Sequence, residues 1–179
     1  MVYLFLANGF EEIEALMPLD LLRRAGLEVT TVGVGGEMIC GSHGITVAAD
    51  IPEGMYADAA PDMVILPGGM PGSKNLDGSR VVDMALRAAS RKGAYIAAIC
   101  AAPMVLGHRG LLEGKRATCY PGFEGELAGA TVENARVVRD GNIITAVGMG
   151  AALEFGLELV EVLCGKEKRE ALARAVIAP

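Results

Sequence analysis

The chain has 179 residues, of which 52% are hydrophobic and 21% charged, and 16 Lys+Arg against 22 Asp+Glu give a net charge of −6. That length suits one domain burying roughly 70% of its unfolded surface, and the composition excludes a disordered chain. Net acidity without a basic cluster offers no footprint for a phosphate backbone, which argues against nucleic acid as the main partner.

No apolar run reaches the ~18 residues of a membrane span. The longest, residues 94–107, is interrupted by Pro103. The apolar start at residues 2–7 has no basic leader and runs into acidic residues, so it does not read as a secretory signal. Cys40, Cys100, Cys119 and Cys164 form no Cys-x-x-Cys pair. Such a chain is expected in a reducing cytoplasm, where a cysteine is a buried hydrophobe or a reagent. His43 and His108 are the only histidines, too few for a His-rich metal site.

Apolar patterning predicts strands and helices in alternation. Residues 2–6 read as a buried strand. Residues 12–25 read as a helix with Ile13, Leu16, Leu19 and Leu22 apolar, a stop at Gly26, and Pro18 where it can kink. Residues 28–34 and 46–48 are strand-like, and 63–66 form a buried strand ending at Pro67-Gly68-Gly69. Ser79 is placed to cap a helix to about residue 92, and 95–99 form another buried strand, with a helix at 102–107. Residues 137–139 and 143–147 flank the hairpin signal Asp140-Gly141. Two helices, at 151–163 and about 166–176, complete the chain. The alternation implies an α/β sandwich with a mainly parallel sheet covered on both faces. Ligands of such sheets bind beyond the carboxyl ends of the strands.

Four segments follow apolar runs. In Tyr95-Ile-Ala-Ala-Ile-Cys-Ala-Ala-Pro103 a strand enters Cys100 and Pro103 opens a helix, with Ala98 and Ala102 as small flanks. That is the layout of a nucleophile elbow, with the sulfur at a helix start that favours thiolate. Leu66-Pro-Gly-Gly-Met70 lets backbone N–H groups approach a ligand, and alone is read as a tight turn. In Gly9-Phe-Glu-Glu-Ile-Glu14, Glu11 and Glu12 read as first-turn carboxylates, whereas Glu14 fits a helix-start carboxylate and a buried acid of raised pKa equally well. In Thr118-Cys-Tyr-Pro-Gly-Phe-Glu124, Tyr120 and Cys119 read either as cleft groups or as ordinary loop residues. Neither histidine is read as a catalyst or ligand: His43 lies in the turn-like Gly41-Ser-His-Gly44 and His108 reads as a solvated helix cap, with Arg23-Arg24 as the basic end of the first helix.

Together these motifs, in this order, resemble the ThiJ/PfpI family, closest to its branch containing the parkinsonism-associated deglycase and bacterial relatives. Gly150-Ala-Ala-Leu-Glu-Phe-Gly156 and Leu159-Val-Glu-Val-Leu163 are similar to that branch's C-terminal signature. The resemblance covers essentially the whole chain and implies one flavodoxin-like domain over residues 1–179, of the class I glutamine amidotransferase-like type, usually a homodimer. It implies Cys100 as the reactive cysteine and Glu14 as the carboxyl beside it, with Gly68, Gly69 and the backbone of Ala101 lining an oxyanion pocket. It also implies a cofactor-free, metal-free glyoxalase or deglycase acting on small aldehydes, or redox sensing or chaperone action. Two positions depart from the pattern. Ala101 stands where PfpI-type proteases have histidine, which argues against proteolysis, and Tyr120 replaces a histidine of the human-like branch. An amidotransferase-like hydrolase is disfavoured because the sequence offers no evident His–Glu pair.

Overall fold

The computed structural model describes residues 1–57 and 60–179. In chain order the elements are β1 (Val2–Ala7), α1 (Glu12–Arg24), β2 (Val29–Val34), β3 (Met38–Cys40), β4 (Thr46–Ala48), β5 (Ile51–Pro52) and β6 (Met63–Leu66). Then come α2 (Gly72–Asp77), α3 (Arg80–Lys92), β7 (Tyr95–Ile99), α4 (Pro103–Gly107), β8 (Arg116–Ala117), β9 (Thr131–Val132) and β10 (Val137–Asp140). β11 (Ile143–Ala146), α5 (Ala152–Cys164) and α6 (Lys166–Ala175) end the chain.

Seven strands form the main sheet in the order β10-β11-β7-β6-β1-β2-β5. All its pairings are parallel except β10 with β11. That antiparallel edge is the expected hairpin, and Gly141 supplies the positive φ of 61° in its turn. Each central strand alternates between two cores, which is why its sequence is apolar throughout. Phe5, Val64, Leu66, Ile96 and Ala98 face a cluster with Val82, Leu86 and Val105. Leu4, Leu6, Ile65, Ala97 and Ile99 face the other, with Leu21, Leu22, Phe155 and Val160. The result is the expected three-layer α/β sandwich.

Helix α1 differs from the sequence expectation in its rotation. Its buried residues are Glu12, Glu14, Ala15, Pro18, Leu21 and Leu22, while Ile13 is exposed. Contact with α5 sets this. Gly156 lies against Pro18, and a methyl there would be 3.0 Å from Pro18 Cα and 2.6 Å from Leu21 Cδ1. Pro18 therefore marks a close helix crossing inside a continuous helix. The turn that buries Pro18 also buries Glu14, one turn earlier. Strands β3, β5, β8 and β9 and helix α2 were not expected, being two to six residues long, too short for periodicity to register. No helix among the described residues is long and apolar enough to cross a membrane.

Candidate active site

Adjacent ends of β1, β6, β7 and β11 meet at one point above the sheet. Cys100 directly follows β7 and has a φ of 65°. The left-handed region costs a residue with a Cβ about 1–2 kcal/mol. Both sides of the residue are pinned, since Cys100 N donates to Ala146 O at 2.8 Å and Tyr120 N donates to Cys100 O at 2.8 Å. The surrounding structure thus holds the strain that a nucleophile elbow needs. Pro103 begins α4 where its missing N–H costs nothing.

The four motifs converge here. Glu14 is 1% exposed, hydrogen-bonds the Cys100 side chain, and accepts from Gly68 N at 3.0 Å. The Met149 amide also donates to its carboxyl. The backbone N–H groups of Gly69 and Ala101 are directed at the Cys100 sulfur. Glu11 caps α1 by accepting from Glu14 N at 2.7 Å, and its own N–H donates to Gly68 O at 2.9 Å, which joins the helix start to the glycine loop. Tyr120 is 51% exposed, and its ring flanks Gly148, where a methyl would be 3.3 Å from Cδ2 and 3.9 Å from Glu14 Oε1. Cys100, Glu14, Gly68, Gly69, Ala101 and Tyr120 are thereby brought together.

Only glycine fits at residue 68. A methyl there would sit 2.5 Å from Cys100 Cβ and collide with the Glu14 carboxylate. Gly68→Ala is expected to destabilise the fold by about 1–3 kcal/mol, the usual cost of overpacking, read from thermal melts. A melt equal to that of the parent would mean that the Glu14 side chain can leave this position freely.

The electrostatics follow from burial. Desolvation pushes Glu14 from 4.5 up to about 7, aided by the charge of Glu11 and opposed by the hydrogen bonds from Cys100 and the two amides. Desolvation, then the Glu14 charge and hydrogen bond, push the Cys100 thiol up to about 12 against the Gly69 and Ala101 amides. Two negative charges cannot coexist here, so the pair titrates as a unit and holds one proton between about 7 and about 12. The helix-start effect expected from sequence does not prevail over desolvation, because α4 has only five residues and the dipole grows with aligned peptides.

Other sequence readings change. Glu12 is no ordinary first-turn carboxylate. It is 2% exposed, with Oε1 accepting from His43 N at 2.7 Å and Oε2 lying 2.8 Å from His43 Nδ1. A His–Glu pair is therefore present, across 31 residues, where spacing gave no signal. Burial would raise Glu12, but the His43 and backbone hydrogen bonds hold it down at about 2. Glu11, Glu12 and His43 each place one ligand atom within 4.8 Å of the others. Both Glu12 oxygens are already occupied by the Ser42–Ile45 turn, which makes this a clamp on the β3–β4 hairpin. Cys119 lies in the α3-side core and burial pushes it up to about 11, whereas Cys100 packs against the α5-side core.

A model of the DJ-1/PfpI family matches residues 1–162. The chain belongs to the DJ-1/PfpI family. Protein dj-1beta of Drosophila melanogaster is 41% identical over 175 residues, covering 96% of this chain and 94% of that protein. The glutathione-independent glyoxalase DJR-1.2 of Caenorhabditis elegans is 33% identical over 166 residues, 92% of this chain and 88% of its own. The structure of oxidized DJ-1 from Toxoplasma gondii has a TM-score of 0.94 at 36% identity, covering 98% of this chain and 97% of that one. The family and the three-layer α/β fold agree with the resemblance read from sequence.

Proposed function

We propose that the chain is a cofactor-independent cysteine enzyme converting methylglyoxal to lactate, a glyoxalase or deglycase-like role in protection against reactive aldehydes. The observation that carries this is the buried Glu14 carboxyl hydrogen-bonded to the Cys100 side chain, whose sulfur also faces the Gly69 and Ala101 N–H groups. Transfer of the thiol proton to Glu14 leaves a thiolate without calling on solvent. Sulfur adds to the aldehyde carbon, and the new alkoxide faces the N–H groups of Gly69 and Ala101. Glu14 gives its proton to this alkoxide, and as a carboxylate it then takes the proton from the former aldehyde carbon and returns it to the neighbouring carbonyl carbon, while the hydroxyl proton moves to the carbonyl oxygen. The first carbon is oxidised and the second reduced, giving a lactoyl thioester. Water cleaves its C–S bond, releasing lactate and restoring the thiol. Tyr120 stands at the open side as a substrate contact.

Lactate formation from methylglyoxal without added thiol, under anaerobic conditions, is the test. Oxidation of Cys100 with no turnover favours the second reading, a non-enzymatic redox sensor or redox-regulated chaperone. That reading is supported by the incomplete burial of Cys100 and by the oxidized state of the Toxoplasma relative.

The cytoplasm is the proposed setting, consistent with four free cysteines. A homodimer is the proposed assembly. Ile13 is 42% exposed, and Leu16, one turn on, belongs to neither core cluster, so α1 presents an unused apolar edge. Sedimentation at micromolar concentration is expected to give the dimer mass, and Ile13→Glu to shift it toward monomer. A parent protein of monomer mass would refute the assembly.

A further inference from the structure

His108 follows α4 directly, with both ring nitrogens facing carboxylates. Nδ1 lies 2.8 Å from Asp77 Oδ2 and Nε2 lies 2.8 Å from Glu126 Oε2. A carboxylate only accepts, so both contacts are hydrogen bonds together only when the ring carries two protons. Such a ring has no lone pair for a metal or for base catalysis. It ties segments together instead. Asp77 ends α2, the helix that follows Gly68-Gly69. Helix α4 follows Cys100, and Glu126 closes the 3-10 turn Glu124–Glu126 that follows Tyr120. The segments carrying three parts of the site all run on to this one imidazolium.

The two carboxylates are held unequally. Arg109 Nη1 donates to Asp77 Oδ1 at 2.6 Å and Nη2 to the Asp77 carbonyl at 2.7 Å. Arg109 Nε in turn lies 3.3 Å from Asp83 of α3. The Glu126 side chain is 52% exposed, and among the described residues no second side chain pairs with it. The other charge on its turn, Glu124, accepts from Gly122 N at 2.8 Å.

We propose that His108 is a pH-sensitive brace behind the active site: when the ring loses one proton, Glu126 lets go and the turn following Tyr120 is released, while Arg109 keeps Asp77 in place. This goes beyond the proposed reaction and is tested without an activity readout. The hydrogen bonds to Glu126 and then Asp77 raise the ring above its ordinary value of 6.5. A raised folded value contributes stability that is full below the unfolded value and is lost as pH rises through the folded one. The brace is therefore closed on the acid side and opens toward alkaline pH.

The experiment compares the full-length protein with Glu126→Gln. Glutamine accepts from the protonated ring and donates to the neutral one, so its tie survives the titration. His108 is titrated by NMR, and solvent exchange is measured at the turn amides of Phe123, Glu126 and Leu127, which are hydrogen-bonded to Tyr120, Phe123 and Glu124. The ratio of wild-type to Glu126→Gln exchange cancels the intrinsic pH dependence. It is expected to rise about threefold, the scale of an exposed charged pair, with its midpoint at the His108 titration. A constant ratio, or a His108 midpoint at or below about 6.5, would overturn the proposal.

Discussion

Cys100→Ser is expected to lower lactate formation from methylglyoxal by about three orders of magnitude or more, the scale of losing a covalent nucleophile. Its melting temperature should stay close to that of the parent. Serine keeps a side chain that hydrogen-bonds Glu14 and tolerates the same backbone, so the φ of 65° and its pins to Ala146 and Tyr120 persist. What it loses is an atom that ionises in place. A hydroxyl is a far weaker acid than a thiol, and proton transfer to a carboxyl of pKa about 7 becomes steeply unfavourable. The variant therefore separates chemistry from folding. Labelling gives an independent check. In the folded parent, proton transfer to Glu14 supplies a thiolate that a thiol held up at about 12 would not form on its own, so iodoacetamide should modify Cys100 ahead of exposed Cys40, half-buried Cys164 and buried Cys119. Equal rates at Cys40 or Cys164 would remove the case for an activated sulfur, and turnover surviving in the serine variant would move the reaction elsewhere.

Legibility in the sequence followed the range of the interaction. Cys100 could be read because an elbow is local: strand, small flanks and Pro103 lie within nine residues. The parallel sheet could be read because a strand buried on both faces is apolar at every position, as in residues 63–66 and 95–99. Glu14 stood undecided, because its burial depends on how α1 rolls against α5, and that roll is fixed by Pro18 meeting Gly156 across the chain. The same roll turned Ile13 outward, against the pattern. Glu12 was misread for a related reason. Its position suits a dipole carboxylate, and only the β3–β4 hairpin, whose strands have three residues each, reveals the buried clamp on His43. The Met149 amide donor carries no side-chain signal at all. His108 looked solvated because its partners are 31 and 18 residues away.

Glu14→Gln and Glu14→Leu are expected to divide two roles that the carboxyl combines. In the glutamine variant, the side-chain oxygen keeps the Gly68 amide, and the side-chain N–H still donates to sulfur. The shape survives while the exchangeable proton is lost. Lactate formation should fall by about 10²–10⁴, the usual contribution of a general acid–base. With the neighbouring charge removed, the thiol should ionise below the value of about 12 that it has beside the Glu14 carboxylate. Absorbance of the thiolate against pH reads this directly. Leucine leaves the Gly68 and Met149 donors unpaired and withdraws the donor from sulfur. It should ionise at higher pH than glutamine, oxidise more slowly with peroxide, and melt lower. The pH dependence carries a sign as well. Folding raises Glu14 from 4.5 to about 7, so its contribution to stability is full below 4.5 and declines as pH rises to about 7. Wild type should thus lose stability relative to Glu14→Gln across that interval, while its kcat/KM rises through about pH 7 as the pair gains its single charge. A glutamine variant with nearly full activity would reduce Glu14 to a helix-start carboxylate and leave the proton to another carrier, with Tyr120 the next residue to replace.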